Sequence, residues 1–74
     1  MRIRICFTNN ESKELRDFQS ATIITDSGSE VFTSSNFEKF HLKRNSEFIF
    51  SSSTETVHAC TEGISFVEFK DSDF

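Results

Sequence analysis

The sequence predicts a small, mainly β domain: an antiparallel meander or barrel of six or seven short strands, with one short helix over about residues 10–18. Three observations carry this prediction. Alanine and leucine occur twice each and proline and tryptophan not at all, whereas serine and threonine number 19 and phenylalanine 10. Good helix formers are therefore scarce and β-formers plentiful. Apolar residues also alternate with polar ones in short runs, and clusters of Ser, Asn, Asp and Gly separate those runs.

Length and charge bound the rest. Seventy-four residues make one domain, 1–74, close to the lower limit for a core without staples. A net stability of roughly 3–5 kcal/mol is realistic at that size, so a second copy or a tight partner would help. Two cysteines do not make a disulfide framework, and the opening residues lack the apolar run of a secretion signal. Nothing approaches the ~18 apolar residues of a membrane helix, so the expectation is a reduced, cytoplasmic chain with no membrane contact.

The first strand is the clearest. Met1, Ile3, Ile5 and Phe7 alternate with Arg2, Arg4 and Cys6. Thr8-Asn9-Asn10-Glu11 then fits a capping box, and Leu15 and Phe18 share a helical spacing, which together predict the short helix. Ala21–Thr25 and Glu30–Thr33 flank Asp26-Ser27-Gly28-Ser29, where Gly28 supplies a positive φ: a hairpin.

Residues 36–50 read in two ways. Phe40 and Leu42 alternate with Lys39, His41 and Lys43, Arg44-Asn45-Ser46 forms a turn, and Phe48 and Phe50 resume the alternation; this is a second hairpin. Alternatively Ser35 and Glu38 form a capping box and residues 36–44 are helical, which gives an α+β ferredoxin-like order with an added C-terminal hairpin. The hairpin is preferred because strand-type residues continue beyond it.

The last third reads as a meander of Thr54–Cys60 and Ile64–Lys70 around Thr61-Glu62-Gly63. Its phase slips within the final strand, where Ile64 and Phe66 share one face and Val67 and Phe69 the other. A β-bulge would reconcile them; otherwise both faces are covered, one by a partner.

No motif announces catalysis. Cys6, His41, His58 and Cys60 could in number fill a tetrahedral zinc site, but they lack the paired, close-spaced ligands that such sites use. A cysteine nucleophile needs an oriented base, and nothing fixes one. The expectation is no enzyme, no metal and no cofactor.

Charge is more informative. Residues 45–74 carry Glu47, Glu55, Glu62, Glu68, Asp71 and Asp73 against Lys70 alone, while Lys39, Lys43 and Arg44 form a small basic edge. The plainer reading is solubility and edge protection. The sharper one is a non-enzymatic protein-binding module, an inhibitor or adaptor that occludes a basic surface of a partner protein, as small phage-encoded proteins of this size and charge do. Glu55, Glu62, Glu68, Asp71 and Asp73 would then meet basic groups, with Phe69 as an apolar anchor.

Two alternatives stand beside it. A nucleic-acid-binding β domain would use Arg2, Arg4, Lys39, Lys43 and Arg44, although the sequence pI of about 5.0 argues against a basic footprint. A structural subunit, or a homodimer, would hide surplus Phe at an interface.

Overall fold

A computed structural model describes residues 1–71 and bears out the mainly β class. The strands are β1 (Arg2–Phe7), β2 (Ser12–Leu15), β3 (Phe18–Thr25), β4 (Gly28–Phe32), β5 (Glu47–Ser52), β6 (Thr56–Cys60) and β7 (Ile64–Lys70). They form two antiparallel sheets, a three-stranded one ordered β2-β1-β7 and a four-stranded one ordered β4-β3-β5-β6. No barrel closes. Among the described residues, no helix is long and apolar enough to cross a membrane.

One core lies between the sheets. Ile3, Ile5, Leu15 and Ile64 from the three-stranded sheet share it with Phe18, Ala21, Ile23, Phe32, Phe48 and Phe50 from the four-stranded sheet. Phe48 and Phe50 stack nearly parallel, 6.0 Å apart, and have no solvent exposure. Each large side chain so buried contributes about 1.5–3 kcal/mol, which is why a chain this short depends on its Phe.

Several expectations need correction. The helix over about 10–18 is absent: Lys13 and Leu15 pair with Ile5 and Ile3 as β2. The residues that suggested a cap make a turn instead. Asn9 Oδ1 accepts from Glu11 N–H at 3.0 Å, Phe7 N–H donates to the Glu11 carbonyl at 2.8 Å, and Asn10 takes a positive φ of 70°. Short polar side chains serve both purposes, and pairing with β1 decides between them.

Residues 36–44 are neither the second hairpin nor the helix of a ferredoxin-like order. They form a strap: one 3₁₀ turn, Phe37–Lys39, then an irregular run to a turn at Arg44-Asn45, where Asn45 has φ 52°. Phe40 plugs the core from the strap, with ring centroids 5.3 Å from Phe69, 5.6 Å from Phe32 and 5.9 Å from Phe48. Lys43 Nζ bonds Glu30 of β4, and Thr61 Oγ1 donates to the Lys43 carbonyl at 2.6 Å while accepting from Ser46 N–H at 3.1 Å.

The C-terminal meander is also revised. After Thr61–Gly63, β7 leaves β6 and crosses to pair with β1. Of the two readings of the phase slip the bulge is the one found, but one residue earlier: Cys6 pairs with Phe66 and Phe7 with Ile64, so Ser65 is the extra residue and Ile64 and Phe66 do not share a face. It lets Ile64, Val67 and Phe69 all face the core side and leaves Phe66 outside, 47% exposed. A second slip at Gln19, between the Phe18–Ser52 and Ser20–Ser51 pairs, brings both Phe18 and Ala21 inward.

Candidate functional site

Each sheet turns one face outward, and the two faces differ. On the three-stranded sheet the outward residues include Arg2 and Arg4 of β1, Glu14 of β2, and Phe66, Glu68 and Lys70 of β7. Four of them pair: Arg2 lies 3.3 Å from Glu14, and Arg4 lies 3.3 Å from Glu68.

The outward face of the four-stranded sheet is nearly uncharged. One row across all its strands reads Val31, Thr22, Ile49, His58, and the next reads Ser29, Ile24, Glu47, Cys60. Among the described residues, Glu47 is the one charged side chain on this face. Val31 is 54% exposed, and Thr22, Ile24 and Ile49 are half-buried by their neighbours. A patch of β-branched residues with so little charge is the kind of surface that partners cover.

Glu11, Glu47 and Glu62 lie on three segments that backbone hydrogen bonds connect. Thr61 N–H donates to the Ser46 carbonyl at 3.0 Å, and Thr8 N–H to the Gly63 carbonyl at 3.0 Å. Those bonds draw together the turn before β2, the start of β5 and the 3₁₀ turn Thr61–Gly63, which carry Glu11, Glu47 and Glu62. No ion pair holds these three among the described residues.

The residues expected to bind a partner are therefore spread and partly occupied. Glu55 meets Lys13 at 2.9 Å, tying the β5–β6 loop to β2, and Glu68 meets Arg4. Glu62 and Asp71 are exposed, and Asp73 lies outside the described residues. Phe69 faces inward, with rings 5.4 Å from Phe37 and 5.6 Å from Phe18; Phe66 takes the exposed place on that strand. On the basic side, Arg2, Arg4 and Lys43 are ion-paired, whereas Lys39 and Arg44 are not, among the described residues. The outward face of the four-stranded sheet was missed in the sequence, although the alternation of Thr22, Ile24 and Ile49 against Ile23, Phe48 and Phe50 contained it.

The other chemistry-bearing residues stay apart. Cys6 is buried on the three-stranded sheet, His58 and Cys60 lie on β6, and His41 sits on the strap with Nδ1 3.2 Å from the Lys39 carbonyl oxygen. Both cysteines are free thiols, and no group of three or more potential metal ligands comes together among the described residues. The depression lined by Glu47, Ile49, His58 and Cys60 holds about 190 Å³, and the one beside Cys6 and Phe66 about 210 Å³. Small-molecule pockets usually need about 300–1,000 Å³, so both are surface relief. No protein-family model, no curated protein and no solved structure matches the chain.

Proposed function

We propose that the protein is a non-enzymatic binding module that occupies a basic, partly apolar surface of a protein partner, as an inhibitor or adaptor. The observation that carries this reading is the outward face of the four-stranded sheet. It offers Val31, Thr22, Ile24 and Ile49 as an apolar centre, with the unpaired Glu47 on the face and Glu62 beyond it. Apolar contact supplies affinity and the carboxylates supply steering and register.

The competing nucleic-acid reading finds less support. Three of its five basic residues already hold carboxylates, and Phe40 and Phe48, which would have to stack bases, are packed in the core. Reversing charge with Glu47→Lys, Glu62→Lys and Asp71→Lys in one folded variant tests the proposal. Loss of partner binding, with wild-type binding weakening as salt rises, is the expected result. Unchanged affinity in that variant would remove the basic-partner assignment.

A further inference from the structure

Three of the four sheet edges are guarded. β2 carries Lys13 and Glu14, β7 carries the Ser65 bulge with Glu68 and Lys70, and β4 carries Glu30 fastened to Lys43. Charges and bulges of this kind block edge-to-edge pairing. The remaining edge, β6, has neither: Thr56–Cys60 contains no charged residue and pairs with β5 in unbroken register.

Its free hydrogen-bonding groups follow from that register. Ser52 N–H donates to the Glu55 carbonyl at 2.8 Å and Thr61 N–H to the Ser46 carbonyl at 3.0 Å, which sets the phase of the β5–β6 ladder. Antiparallel ladders alternate, so Val57 and Ala59 bond to β5 while the N–H and C=O groups of Thr56, His58 and Cys60 point away from it.

We propose that β6 pairs antiparallel with β6 of a second copy about a two-fold axis at His58, joining the two four-stranded sheets into one. This register places His58 opposite the partner's His58 and Thr56 opposite the partner's Cys60, and it satisfies every outward backbone group of the strand. The inward neighbours also match: half-buried Val57 meets the partner's Ala59, extending the apolar core across the junction. No charge faces a like charge, because Glu55 falls opposite the partner's Thr61 and Glu62 opposite the partner's Thr54. An unrelated peptide would satisfy the backbone but has no reason to match these side chains. The pairing is isologous, as two-fold dimers require, and leaves the outward sheet face open.

Sedimentation equilibrium and register-specific crosslinking test the pairing. The wild type is expected to pass from monomer to dimer at micromolar to sub-millimolar concentration. His58→Pro removes an outward N–H that β5 does not use, so it should stay folded by circular dichroism and associate at least about tenfold more weakly. His58 sits at a hydrogen-bonded pair with a Cα separation of about 5.5 Å across the axis, which suits a disulfide. Under mild oxidation His58→Cys in a Cys60→Ser background should crosslink, whereas Thr56→Cys in the same background should not, and Thr56→Cys with Cys60 retained should. A wild type that stays monomeric throughout, or crosslinks that ignore this order, would overturn the proposal.

Discussion

Arg4 of β1 and Glu68 of β7 stand opposite each other in the antiparallel ladder, and their side chains meet at 3.3 Å. A basic residue from the first strand thus neutralises an acidic one from the last. Glu55 of the acidic C-terminal third finds Lys13 in the same way, whereas Glu47 and Glu62 stay without an ion pair among the described residues.

The Arg4–Glu68 pair is about 40% exposed on both sides, so it contributes little. A double-mutant cycle with Arg4→Ala and Glu68→Ala should give a coupling of about 0.2–1 kcal/mol, shrinking in high salt. A coupling above ~2 kcal/mol would mean the pair is far better shielded from solvent than it is here.

Thr61 matters more to the fold than its exposed neighbours. Its hydroxyl accepts from Ser46 N–H and donates to the Lys43 carbonyl, locking the strap to the link between β6 and β7. Thr61→Val keeps the shape and leaves both groups without a partner. Denaturant unfolding should show a loss of about 1–3 kcal/mol, a large share of the stability available to a domain this small.

Ser65 is the residue that β7 carries in excess of β1. Deleting it should leave a regular ladder in which Ile64, Val67 and Phe69 still face inward and Phe66 outward. The deletion should therefore fold, within about 1 kcal/mol of wild type, whereas deleting Val67 would reverse the faces of the residues before it and unfold the domain. Chemical denaturation of both variants decides the point; equal damage from the two would contradict the bulge assignment.

The hydrogen bond from Lys43, and then its charge, hold the Glu30 carboxyl below its usual 4.5. A carboxyl lowered in the folded state stabilises fully above its unfolded value and loses that contribution as pH falls through the lower folded value. Stability should therefore decline on acidification below about pH 4.5, and Glu30→Gln should flatten that part of the curve. An acid limb unchanged in Glu30→Gln would show that the contact does not persist in solution.

What the sequence disclosed depended on how local the cause was. The β3–β4 hairpin was legible because its turn is settled locally: Gly28 takes the predicted positive φ, 135°, and the adjacent Thr25 hydroxyl accepts from Ser27 N–H and donates to the Gly28 carbonyl. The β7 bulge was legible because its phase slip lies within one strand. The helix expected near residue 10 failed because Asn9 and Glu11 serve a turn as well as a cap, and the pairing of Leu15 with Ile3 that settles the matter is tertiary. Likewise Phe40 alternates as a strand residue would, yet it is held by rings from β4, β5 and β7 that no local pattern reveals. The outward face of the four-stranded sheet needed strand order, which brings Val31, Thr22, Ile49 and His58 into one row.

The central claim is that this face binds a protein. It is tested most directly by capture from lysate of the source cells after nuclease treatment, comparing the wild type with a folded Thr22→Lys, Ile49→Lys variant. The account predicts that one protein is retained near one-to-one by the wild type and lost with the variant. Capture that survives in the variant, or that disappears from the wild type once nucleic acid is digested, would contradict it.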